Sequence, residues 1–189
     1  MSKKFLEIET KYDASDIDRI KFKNLLRSMS PKSFLYVEST DIYYSKDDEF
    51  IRYRMPPETD KTKRSELTFK KKTTNGNNVV RTEVNLRVDS NDLNTIQAFC
   101  EGLGYKKNFS VYKICDIYFF EDADVVFYTV LDENKKSANF IEIEVNEHLD
   151  ISEEQAREII VKYEKLLASL GLNAQKRMRR SLWEIYRKD

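Results

Sequence analysis

One histidine, two cysteines, three prolines and four glycines stand among 189 residues. Each scarcity excludes something. His148 alone, in a loop-like context, rules out a zinc site with several His ligands and disfavours a His-based catalytic dyad. Cys100 and Cys115 lie in unrelated segments without CxxC spacing, so reduced thiols in a cytoplasmic setting are expected, with Cys100 a buried helix residue. No apolar run approaches the roughly 18–20 residues of a membrane span, and the N-terminus lacks a signal-like apolar stretch. So few Gly and Pro leave no flexible linker, and residues 1–189 are read as a single domain. Net charge of one sign is also missing. Lys and Arg total 33 and Asp and Glu total 33, so the electrostatic footprint of a nucleic-acid binder is absent.

What the chain does have is aromatic, alternating strand sequence, with 11 Tyr and 11 Phe. Strand-like runs cover Phe5–Tyr12, Ser33–Ser45, Phe50–Met55, Glu66–Lys72, Val79–Val88, Val111–Phe120, Val125–Leu131 and Phe140–Val145. Asn75-Gly76-Asn77 reads as a hairpin turn. Helical spacing covers Asp13–Met29, capped by Ser15 or Asp16, then Ser90–Leu103, the stretch from the Ser152/Gln155 capping box to Leu170, and Gln175–Lys188. The basic run from Lys176 to Arg180 reads as a solvated face of that last helix, and Lys61–Arg64 as a flexible cationic loop. The fold expected is α+β, with about seven to nine mainly antiparallel strands.

The strands sort their charges. The opening and late strands carry Glu7, Glu9, Glu142 and Glu144, each pair on one face because side chains alternate with a period of two. The middle strands carry Arg52, Arg54, Lys70, Lys72, Arg81 and Lys113. Two arrangements satisfy this pattern. In one, the charged faces are solvated and inert. In the other, the sheet curls into a closed or nearly closed barrel with a charged interior and helices packed outside. A charged lumen needs internal pairing or a ligand. A polyanion with a divalent metal meets both halves of the need, since cations clamp phosphates and carboxylates supply hard oxygen ligands.

In order along the chain, Glu7-Ile8-Glu9-Thr10-Lys11, Asp41-Ile42-Tyr43-Tyr44, Ile51-Arg52-Tyr53-Arg54, Leu67-Thr68-Phe69-Lys70, Arg81-Thr82-Glu83, Glu142-Ile143-Glu144 and Ser181-Leu182-Trp183-Glu184-Ile185 resemble the motifs of the CYTH superfamily. These are the triphosphate tunnel metalloenzymes, which include class IV adenylate cyclases and thiamine triphosphatases. The resemblance implies Mg²⁺ or Mn²⁺ held by Glu7, Glu9, Asp132, Glu142 and Glu144. It implies phosphate contacts from Lys11, Arg52, Arg54, Lys70, Lys72, Arg81 and Lys113, with Lys11, Glu9 and Glu144 closest to the chemistry. Lys72 and Glu83 are second choices, since each can simply pair with a neighbour.

The substrate implied is a small triphosphate: a nucleoside triphosphate, inorganic tripolyphosphate or thiamine triphosphate. Hydrolysis is the leading activity, class IV-type cyclisation of ATP the alternative, and non-catalytic binding a third reading. The expected state is a cytoplasmic monomer or homodimer without membrane or strong nucleic-acid partners. Three departures stand out. Cys115 occupies a position where the family often has Arg, the turn before Glu142 has no Gly, and Leu182 replaces a common Tyr.

Overall fold

The computed structural model describes residues 8–57, 65–75, 78–88, 92–146, 149 and 151–188, with backbone alone for 72–75 and 78–82. Nine strands form one sheet: β1 (Glu9–Asp13), β2 (Ser33–Lys46), β3 (Glu49–Met55), β4 (Ser65–Asn75), β5 (Asn78–Val88), β6 (Lys106–Phe119), β7 (Ala123–Asp132), β8 (Ser137–Val145) and β9 (Arg177–Met178). Their order across the sheet is β5-β4-β3-β2-β6-β7-β8-β1-β9, and every pairing is antiparallel. Among the described residues β5 and β9 are not hydrogen-bonded to each other. The sheet nevertheless curls so far that side chains from β1 to β8 line one cavity. The result is a nearly closed tunnel.

Three helices cover the outside, where the apolar halves of the alternating strands are buried. Helix α1 (Arg19–Ser28) sets Phe22 and Leu26, and α3 (Glu153–Leu167) sets Ala156, Ile160, Tyr163 and Leu167, against Tyr118, Val125, Phe127, Ile141 and Ile143. Helix α2 (Leu93–Gly102) sets Ile96 and Cys100 against Ile42, Tyr44, Ile51 and Tyr53. Arg19 and Lys23 also reach the fully buried Asp116 on the outer face of β6, at 2.6 and 3.1 Å, and tie α1 to the sheet.

Local chemistry sets the boundaries. Helix α1 starts later than the sequence suggests because β1 runs on to Asp13, and Asp18 rather than Ser15 or Asp16 accepts the first free amides. Asp92 caps α2 in the same way. Gly104, at φ +85°, lets the chain leave α2 through a left-handed turn, and β6 begins two residues on, earlier than expected. The Ser152/Gln155 capping box opens α3 as read from the sequence.

The C-terminal stretch differs most. Residues 175–188 are not one helix. Arg177 and Met178 pair with Tyr12 and Lys11 of β1, and Arg177 holds Glu164 through Nε and Nη2 at 3.0 and 2.6 Å. The basic run is therefore no helix face. Helix α4 (Leu182–Tyr186) starts only at Ser181, which forms a second capping box with Glu184. It packs on the inner face of the sheet, not outside. Trp183 stacks on Phe50 at 5.4 Å and donates from Nε1 to Ser45 Oγ at 2.6 Å, covering the end of the barrel at the β2–β3 turn.

The interior is accordingly mixed rather than wholly charged. Tyr43, Phe50, Phe109, Tyr128, Phe140, Leu182 and Trp183 form a third apolar cluster inside it. The hairpin residues 76–77, Lys61–Arg64 and His148 lie outside the described residues.

Candidate functional site

Register builds the site. Glu9 of β1 lies opposite Glu144 of β8, and Glu144 lies opposite Asp124 of β7. Directly opposed side chains on neighbouring strands have Cβ atoms about 5 Å apart. The result is a row of three carboxylates across three strands. In the next row Lys11 is opposite Glu142, and its Nζ is 2.9 Å from Glu142 Oε1. Tyr128 donates its hydroxyl to the same oxygen at 2.9 Å.

Facing these rows, β3, β4 and β6 contribute Arg52, Arg54, Lys70 and Lys113. All enclose one cavity of about 270 Å³, with Glu66, Glu83, Cys115 and residues 181–183 of α4 among its walls. The alternation thus resolves in favour of a shared cavity over solvated faces. Glu9, Lys11, Arg52, Arg54, Lys70, Lys113, Glu142 and Glu144, each singled out in the sequence, come together there.

The cations are held in different ways. Arg54 grips the fully buried Asp41 through Nε and Nη2, both at 2.8 Å. Burial works against ionisation of Asp41, but the Arg54 guanidinium outweighs it and holds the carboxyl far below the usual carboxylate range. Arg52 donates from Nη2 to Thr68 Oγ1 at 2.8 Å, while its Nε is buried without a hydrogen-bond partner among the described residues. Lys70 pairs with Glu83 at 2.6 Å. Lys113 is buried, with Nζ 4.2 Å from the Tyr128 ring centroid, and desolvation pulls its pKa down. Beside it the Cys115 thiol, at the position where the family resemblance implies an arginine, is pushed up by burial.

The carboxylates divide as well. Burial opposes the charge on Glu142, but Lys11 and Lys113 outweigh it and lower its pKa. At Glu144 the compensation from Lys70 is too small. Burial first, then Glu9 and Glu142, push it up to about 8. At neutral pH Glu144 therefore tends to keep its proton, and a cation bound beside the row would favour its charged form. Carboxylate oxygens suit a hard divalent ion such as Mg²⁺ or Mn²⁺. Among the described residues no three acidic, His or Cys side chains already converge to metal-holding distance.

Some expected residues stand elsewhere. Asp132 is not among the residues that line the cavity. It sits at the β7–β8 turn, where Oδ1 accepts the backbone N–H of Asn134 and Lys136 at 2.8 and 2.9 Å. That turn dispenses with the usual Gly by placing Lys135 at φ +60°. Asp124 is the acidic residue that β7 offers to the cavity. The sequence hid it because Asp122-Ala123-Asp124 looked like turn, whereas the strand already begins at Ala123. Lys72 and Arg81 are opposed in the β4–β5 register, two residues along the strands from Lys70 and Glu83. Their side chains, and Glu7, lie outside the described residues. Asp124→Asn should therefore weaken divalent-cation binding by about tenfold or more, and Asp132→Asn by no more than about threefold, as read by calorimetric titration with Mn²⁺.

A family model described as CYTH domain matches residues 6–182. No curated protein matches. Among solved structures, a conserved hypothetical protein from Pyrococcus furiosus is 24% identical with a TM-score of 0.73, covering 94% of this chain and 98% of its own. A Pyrococcus horikoshii protein is 22% identical with a TM-score of 0.74, covering 96% and 99%. A Vibrio parahaemolyticus protein provisionally described as an adenylate cyclase is 18% identical with a TM-score of 0.68, covering 95% and 97%. Identities this low speak for the fold alone. No helix among the described residues is long and apolar enough to cross a membrane.

Proposed function

The chain belongs to the CYTH domain family, and from that premise we propose that it is a divalent-metal-dependent hydrolase of a small triphosphate bound in the tunnel. One observation carries the reading. Three carboxylates in one cross-strand row, Glu9, Glu144 and Asp124, share a cavity of about 270 Å³ with Arg52, Arg54, Lys70 and Lys113. A metal–triphosphate complex satisfies both walls at once, which neither a bare anion nor a bare cation does.

In this reading Glu9, Glu142 and Glu144, with Glu7 and Asp124, hold Mg²⁺ or Mn²⁺. The ion supplies Lewis-acid charge to the phosphate oxygens when bound. Arg52, Lys70 and Lys113 neutralise the remaining oxygens, and Arg54 adds a fixed positive charge anchored by Asp41. Lys72 and Arg81 are further candidates for phosphate contact by their place in the sequence pattern. Lys11, held by Glu142, stabilises the charge that shifts as the terminal phosphorus–oxygen bond breaks. Glu9 and Glu144, in the neighbouring row of the same two strands, orient the attacking water.

The test is direct. The protein is incubated with ATP, tripolyphosphate and thiamine triphosphate, each with Mg²⁺ or Mn²⁺. Free phosphate, absent when the metal is chelated, supports the proposal. Pyrophosphate with a cyclic nucleotide replaces hydrolysis by cyclisation at the same site. Saturable binding without turnover overturns the enzymatic reading, and no binding at all overturns the site.

A further inference from the structure

The two cross-strand rows that carry the carboxylates do not end with them. The row Glu9, Glu144, Asp124 continues on β6 as Phe119, and the row Lys11, Glu142 continues through Val126 of β7 to Ile117 of β6. Beyond Ile117 on β2 lies Leu35, 41% exposed. Each row therefore changes from ionic to apolar within a single strand spacing. Ile117, Phe119 and Val126 all line the cavity and are only partly buried.

This apolar wall is not simply the inner core. Ile117 and Val126 pack at the margin of the inner cluster, but Phe119 belongs to none of the three clusters among the described residues. It is the last residue of β6, at the end of the barrel away from the β2–β3 turn and from α4. Apolar surface turned toward a water-accessible cavity costs free energy unless something apolar covers it. A bare polyphosphate, hydrated on every side, gains nothing from Ile, Phe and Val. A molecule with a charged tail and a flat uncharged body gains from both halves.

Resting on the function proposed above, we infer that Ile117, Phe119 and Val126 form the seat for the organic part of the substrate, which is therefore an aromatic organic triphosphate rather than inorganic tripolyphosphate. The phosphates lie between the carboxylate row and the cations, and the ring lies on Phe119 beside Asp124. None of the three side chains has a hydrogen-bonding group. The wall reads flatness and apolarity and does not tell one base from another, because strong discrimination needs buried polar groups matched to one substrate.

The experiment compares ATP, GTP and tripolyphosphate, with Mn²⁺, on the wild type and on Phe119→Ala. ATP and GTP should have KM values within about threefold of each other, and tripolyphosphate a KM at least about fivefold higher. Phe119→Ala should raise KM for ATP and GTP about fivefold or more, the scale of one lost aromatic stack, and that for tripolyphosphate by less than about twofold. Val126→Thr keeps the shape of the wall and adds a hydroxyl, so it should shift KM in the same direction without disturbing the fold. Phe119→Trp should retain or improve ATP binding. Tripolyphosphate used as well as ATP by the wild type overturns the inference but leaves the triphosphate reading standing. So does an equal loss on all substrates in Phe119→Ala and Val126→Thr. Failure of all three compounds to bind or react removes the function and this inference together.

Discussion

Replacing Glu9 with Gln is expected to lower metal-dependent triphosphate turnover by at least about 100-fold while leaving the cation-free protein as stable as the wild type. The two halves of this result come from the same charges. Glu9 is opposite Glu144, and it raises the pKa of Glu144 by repulsion, after burial itself. Without a cation that repulsion is a liability, and Gln of the same size removes it. With a cation the same crowding becomes affinity, and Gln forfeits a charged ligand. Mg²⁺ or Mn²⁺ should therefore raise the melting temperature of the wild type, because it binds only the folded state. It should raise that of Glu9→Gln much less. A thermal scan with and without metal, run beside the phosphate-release assay, checks both. Equal metal-induced shifts in the two proteins, or unchanged turnover in the variant, would remove Glu9 from the metal site.

The alternation of Glu9 with Lys11, of Arg52 with Arg54 and of Glu142 with Glu144 was enough to group these side chains on one face, because the strand period is local and needs no knowledge of partners, whereas the inward turn of that face depends on the curl of the whole sheet. What the sequence did not reveal depends on register. Asp124 becomes a site residue only through its position opposite Glu144, which no local pattern encodes. Met178 joins β1 for the same reason, so residues 175–188 look helical until the pairing is known.

The mixed interior was hidden differently. Phe50 shares a face with Arg52, and Ile117 with Cys115 and Lys113, so the inward side of each strand is part ionic and part apolar. A reading that sorts residues into charged and greasy faces misses a wall that is both. Asp41 was legible only as part of a motif. Its role as the carboxylate that fixes Arg54 requires the β2–β3 register, which sets the two directly opposite.

That pairing carries the largest expected effect on stability. Asp41→Ala should destabilise the protein by about 3–5 kcal/mol, lowering the melting temperature by roughly 10 °C, because it leaves the guanidinium without its buried counter-ion. Asp41 is fully buried, and Arg54 holds it through two hydrogen bonds of 2.8 Å, with Ser39 Oγ a further 3.4 Å contact. The sign of the pH dependence follows from the lowered pKa of Asp41. A carboxyl whose pKa falls on folding contributes its full stability above its ordinary value, about 3.9, and loses it as pH drops below that toward the depressed folded value. Wild type and Asp41→Ala should thus differ most at neutral pH and converge only in strong acid. Replacing both partners, Asp41→Leu with Arg54→Met, should recover much of the lost stability, since an apolar pair of similar volume carries no desolvation penalty. Turnover should stay low in the double variant, because the cavity has still lost a cation. Recovered stability without recovered activity would separate the two duties of Arg54, as half of a buried pair and as part of the wall that faces the phosphates. Recovery of both would reduce the pair to scaffolding.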